Sequence, residues 1–261
     1  MVTTNSTANP PVIIFGMDGR VDPFLALAQA CKNLAKNWIA SLACFVALTA
    51  FSLLLCFSVL PLDRAVPSCR AFDCFQAYYH YFLSYFFPKP YLAIISAAAL
   101  FLIWIAYKKI ILTSARFGGR AVSYKVIKQI TLYQLCKLLV LYILLAGTYL
   151  TGALFAIVPG FVFYIRYIFS ENIVLDCHSG SLLAPRLSRF LTSGNGAGIA
   201  LSIAVPVILA AIACYFIWTS SLQLYTALAL TVAVVSAMRI VIASILAVVY
   251  AALAEKVRCK M

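Results

Sequence analysis

The chain has 261 residues, 65% of them hydrophobic and 10% charged, with a net charge of +13. A soluble domain carries about 25% charged residues, so this composition excludes a water-coated globule, and no polar stretch is long enough for a separate soluble catalytic domain. The positive charge lies beside the ends of apolar runs, where it orients spans and meets anionic headgroups, so it is not a nucleic-acid signature.

Several apolar runs approach the roughly 20 residues that a helix needs to cross a bilayer. The short alternating segments of a β-barrel are absent. The fold class expected is therefore all-α, a polytopic membrane bundle of about six crossings with amphipathic interfacial helices.

Residues 1–21 read as a mobile cytoplasmic tail with Pro10 and Pro11, and 22–261 as one transmembrane domain. No signal peptide is evident in the first 37 residues. Asn5-Ser6-Thr7 matches a glycosylation sequon, which a cytoplasmic tail keeps away from the transferase. Asp22-Pro23 is a helix start, an N-cap followed by Pro at N1. Phe24, Leu27, Ala28, Cys31, Leu34 and Ala35 follow at helical spacing, with Gln29, Lys32, Asn33 and Lys36 opposite. That pattern describes an amphipathic helix in the membrane interface or an extension of the first span.

The first span covers 38–60 and ends at Pro61. The loop 61–87 balances its charges and finishes in an aromatic run from Phe72 to Phe87, which suits the belt at a membrane surface. Cys69 and Cys74 share this loop. In an oxidising compartment the two can pair, and otherwise they are free thiols. The second span covers 90–107.

Residues 108–137 contain seven of the 20 Lys and Arg and no acid. Such a stretch resists translocation, so it marks the cytoplasmic side and gives every span its direction. Within it, Val122, Val126, Ile130 and Tyr133 line one side of a second amphipathic helix. The third span, 138–158, covers about 31 Å as helix and ends at Pro159-Gly160. Residues 161–175 are apolar but short, about 22 Å as helix, and carry Arg166 and Glu171. The tail holds Lys256, Arg258 and Lys260 against Glu255, so it belongs on the cytoplasmic side. Parity then requires 161–175 to cross, or to return the chain as a broken re-entrant piece. In the third amphipathic segment Leu183, Leu187, Phe190 and Leu191 face one way and Arg186, Arg189 and Ser193 the other. The last spans are 199–219 and 222–253. Six crossings result, with both termini cytoplasmic. The chain reads as three units, each an interfacial helix followed by a hairpin, and Ala26 to Asn37 repeats the spacing of Ala184 to Asn195.

Ile157-Val158-Pro159-Gly160, Arg166, Ser170, Ile173-Val174-Leu175, Ala184, Ser188, Leu191, Gly194 and Asn195 form one pattern. It resembles bacterial inner-membrane proteins of the YciC-like group and the membrane domain attached to some glycerophosphodiester phosphodiesterases. Val249-Tyr250-Ala251-Ala252-Leu253 is similar to the ending of their last span. Pro185, where that group has Leu, and Arg239, inside the last span, depart from it. The resemblance implies a six-span bundle in a bacterial inner membrane and carries no catalytic residue.

No P-loop, HExxH or GxSxG motif is present. Asp176-Cys177-His178 lacks the second ligand cluster that a metal site needs, and no cofactor is implied. Gly194, Gly196 and Gly198 precede a span. They read as a hinge or, with Arg186 and Arg189, as an anion site at a helix N-terminus that a lipid headgroup would fill. Arg166, Glu171 and Arg239 are the candidate intramembrane polar contacts. Arg239 needs a partner, Glu171 first or the carbonyl of Ser202 freed by Pro206. Three functions stay open. The first is a non-enzymatic envelope protein that binds lipid or a membrane-protein partner. The others are a transporter of a small solute or lipid, and a lipid-headgroup enzyme.

Overall fold

The structure, a computed structural model, describes residues 14–15, 19–59, 90–118, 120–122, 124–155, 157–177, 182–220 and 224–258. Regular structure among them is helical apart from one bridge, Phe15 to Val21. In order these are α1 (Pro23–Lys36), α2 (Trp38–Val59), α3 (Pro90–Arg116), a 3-10 turn (Tyr124–Gln129), α4 (Leu132–Phe155) and α5 (Ile157–Tyr167). Then come α6 (Ser170–Cys177), α7 (Leu183–Thr192), α8 (Gly196–Thr219) and α9 (Leu224–Arg258). Four of them, α2, α3, α8 and α9, are long and apolar enough to cross a membrane.

The bundle is built around α9. Its 35 residues extend about 52 Å, well beyond the roughly 30 Å of a hydrocarbon layer. Residues 243–253 are all buried, as a helix apolar on every side must be. Helices α1, α2, α3 and α8 pack on it.

Asp22 caps α1 as expected, accepting from the N–H groups of Phe24 (2.8 Å) and Leu25 (3.2 Å). The face that α1 buries is not its large apolar one. Ala26, Ala30 and Asn33 are inside, while Phe24 is 73% exposed. Small residues let the α1 backbone approach α9 closely, as in membrane helix pairs, and Ser244 donates to the carbonyl of Ala30 at 3.0 Å. Asn37 Nδ2 donates to the Ser114 hydroxyl at 2.7 Å. That hydroxyl in turn lies 2.7 Å from both Asn33 Oδ1 and the Arg120 carbonyl. Helix α1 is thus docked to the bundle and ends at the Asn37 cap before α2 begins.

Of the described residues before α1, Ile14 and Val21 are buried, and Lys256 donates to the Gly19 carbonyl at 2.6 Å. Two further expectations need correction. Lys108, Lys109 and Arg116 do not lie in a loop, because α3 runs to Arg116, and a short 3-10 turn stands where a second amphipathic helix was expected. Pro159-Gly160 falls in the first turn of α5, where proline is tolerated.

The segment 161–175 is not one rod. It breaks between Tyr167 and Ser170, and Ser188 of α7 repairs the break. Its hydroxyl donates to the Arg166 carbonyl (2.9 Å) and accepts from the Phe169 N–H (3.1 Å), the two backbone groups that a broken helix leaves unsatisfied. Like α1, α7 buries small residues, Ala184, Ser188 and Thr192, and leaves Leu183 and Phe190 exposed.

Candidate functional site

Two cavities contain six of the residues that the sequence singled out: Glu171 and Arg239 in one, Arg166, Arg189, Gly194 and Gly196 in the other. The first is about 390 Å³ and opens between α3, α4, α6 and α9. Trp104 and Lys108 sit one turn apart on α3, and α4 contributes Tyr142. The break at 168–169 sets α6 against α3, so that Glu171 forms an ion pair with Lys108. Two further contacts lock α6 there. Lys109 Nζ donates to the Leu175 carbonyl at 2.6 Å, a cation at a helix C-terminus, where carbonyls are free. Asp176 accepts from Arg116 and, at 2.8 Å, from the Tyr250 hydroxyl of α9.

Arg239 enters the same cavity from α9. Its guanidinium lies 4.8 Å from the centre of the Trp104 ring, and Lys108 Nζ lies 5.2 Å from it. The expected partner of Arg239 was Glu171. The structure brings the two into one cavity but gives the carboxylate to Lys108, because the α6 backbone is pinned along α3. Pro206 is buried in α8 and does not line this cavity. The Tyr142 hydroxyl is buried beside Glu171 and Trp104, while its ring meets Phe101 edge-on at 5.7 Å. Leu100, Ile242 and Leu246 form the apolar wall.

The second cavity is about 510 Å³ and lies at the start of α8. Arg166 of α5, Arg189 of α7, Gly194 and Gly196 line it beside Phe161, Val162 and Ala200, and no acid does. Arg186 is not among its lining residues, and Arg166 takes the place expected for it. Gly194 has φ +78 and turns the chain between α7 and α8. The glycine run is not a loose hinge. A Cβ on Gly198 would lie 2.3 Å from the Val21 carbonyl oxygen, and Asn195 Oδ1 accepts from the Val21 N–H at 3.2 Å. The run is a seat for residues 14–22.

Cys69 and Cys74 lie outside the described residues, as does His178. No group of three metal-ligating side chains occurs among the described residues. Trp104, Lys108 and Tyr142 were not anticipated as site residues. The one available signal was Lys108 four residues after Trp104, on the same face of a helix.

No protein-family model, no curated protein and no solved structure matches this chain.

Proposed function

We propose that this chain is a multi-pass membrane protein without catalytic chemistry of its own, which binds anionic lipid headgroups on the cytoplasmic side. The observation that carries this reading is the second cavity. Two arginines from separate helices and the bare start of α8 surround one acid-free space with an apolar wall. Free N–H groups at a helix start and guanidinium forks both favour phosphate. The exposed apolar residues Leu183, Leu187 and Phe190 of α7 suit immersion beside that headgroup.

In this reading the chain crosses six times, with α4 and the broken pair α5–α6 as the middle hairpin and both termini cytoplasmic. The membrane is a bacterial inner membrane, and the resemblance of 157–195 to YciC-like proteins supports that placement. The test is lipid retention by native mass spectrometry after extraction from bilayers mixing phosphatidylglycerol and phosphatidylcholine. The wild type should retain phosphatidylglycerol preferentially. Losing one charge-assisted contact of about 1.5 kcal/mol corresponds to roughly a tenfold drop, so Arg166→Gln with Arg189→Gln should lower retention at least that far. Equal retention of both lipids by the wild type would refute the proposal.

A further inference from the structure

The first cavity has an unbalanced charge. Lys108 and Arg239 both sit over the Trp104 ring, and only Glu171 opposes them. Glu171 is committed to Lys108, and Arg239 has no ion pair among the described residues. An arginine inside an apolar helix is retained only where an anion, water or a headgroup satisfies it. The face of Trp104 offsets part of that cost, since a ring quadrupole attracts a cation but accepts no directed pair of hydrogen bonds.

The depth of the cavity narrows what satisfies Arg239. Helices α3 and α9 run the same way, since Trp104 meets Arg239 and, further along both helices, Arg116 and Tyr250 share Asp176. Counted from their first residues at about 1.5 Å per residue, Lys108 lies roughly 27 Å along and Arg239 roughly 22 Å along. With a layer of about 30 Å taken to begin at those first residues, both lie within about 8 Å of its far edge, where lipid head and chain meet.

A second copy of this chain is a poor source of the missing anion. Among the described residues the other carboxylates are Asp22, Asp176 and Glu255. Asp22 caps α1 and Asp176 binds Arg116 and Tyr250. Glu255 lies about 24 Å further along α9 than Arg239. None is available at this depth.

We infer that this cavity binds a membrane amphiphile with a singly charged oxyanion head. Arg239 supplies the planar fork that matches a carboxylate or phosphodiester. Tyr142 brings its buried hydroxyl to the same cavity, and the chain of the amphiphile follows Leu100, Ile242 and Leu246. The site is separate from the headgroup cavity at α8 and does not depend on it.

The test uses the full chain in phosphatidylcholine vesicles with Trp104 as the sole indole. Trp38 and Trp218 are the two others, 60% and 53% exposed, and both are changed to Phe. Quenching of Trp104 is measured with dibromostearate (ionised), brominated phosphatidylglycerol and brominated phosphatidylcholine. At least one anionic probe should quench at about tenfold lower mole fraction than the zwitterionic one. The steeper of the two anionic probes identifies a free fatty acid or a phospholipid as the source. Arg239→Gln should bring all three probes to within about twofold of each other. Glu171→Gln removes the one opposing charge and should increase the anion preference. The preference should persist in Arg166→Gln with Arg189→Gln, so failure of the α8 site leaves this result readable. Equal quenching by all three probes in the wild type would overturn the inference. So would an unchanged anion preference in folded Arg239→Gln, or in Glu171→Gln should Arg239→Gln fail to fold.

Discussion

Substituting Gly198 with Ala isolates the contact between α8 and the segment 14–22. The added Cβ would stand 2.3 Å from the Val21 carbonyl oxygen and 3.3 Å from Val21 Cβ. Relief requires a shift of about 1 Å, since carbon atoms in good contact sit about 3.5–4.0 Å apart. Helix α8 is held by the buried Ile199, Ser202 and Ile203, so the segment 14–22 must lift. Overpacking of this kind costs about 1–3 kcal/mol. The strained Val21–Asn195 hydrogen bond adds about 0.5–1.5 kcal/mol, and the helix propensity of Ala returns up to about 1 kcal/mol. A net loss of about 0.5–3.5 kcal/mol follows when the full propensity gain is returned. Gly196→Ala and Gly147→Ala are the controls. The first meets only Ile165 Cγ2 at 3.8 Å and the second meets nothing within 4 Å, so neither should lose stability. Thermal unfolding in detergent, read by the folded fraction on size exclusion, measures the stability term. Trypsin cleavage after the exposed Arg20 reports the lifting directly. A Gly198→Ala protein as stable as Gly147→Ala, with unchanged cleavage at Arg20, would show that the contact does not hold the segment.

Three further outcomes are expected. Ser188→Ala strips both the Arg166 carbonyl and the Phe169 N–H of their partner and should cost about 1–3 kcal/mol; unchanged unfolding would mean that water repairs the break equally well. Lys108→Met leaves a largely buried Glu171 unpaired and should cost about 3–5 kcal/mol, with most of the loss recovered by adding Glu171→Gln. A double variant no more stable than Lys108→Met would place the ion pair outside the energetics of the α3–α6 contact. Asn37→Leu should loosen the 120–122 segment, since Val122 N–H donates to Asn37 Oδ1 at 3.3 Å, and hydrogen exchange at Val122 would rise about tenfold for each 1.4 kcal/mol lost; unaltered exchange would contradict that role.

Much of the secondary structure was legible because its causes are local. Helix α2 begins at Trp38, as the start of the apolar run requires, and α1 begins after the Asp22 N-cap with Pro23 in its first turn. Periodicity on α1 and α7 picks out large apolar side chains. Of these Leu27, Leu34 and Leu191 pack partly on the core, while Phe24 and Phe190 are exposed and the small residues are inside, because close approach of the helix backbones decides which face is buried deepest.

The sequence by itself determined that the chain is helical, that it carries runs long and apolar enough for a bilayer, and where Arg239 stands among them. Those are properties of composition, run length and capping, each read within about 20 residues. It did not determine that Lys108 lies in α3 and not in a loop, because a lysine beside a span end reads the same either way. That depended on Glu171, 63 residues away, and on Leu175 and Asp176 beside it. The pairing of Glu171, the placing of Arg239 over Trp104 and the gathering of Arg166 with Arg189 were decided only by the tertiary structure. The first and the last depend on the α5–α6 break, held by Ser188, which lies on neither helix, and the second on α9 packed against α3.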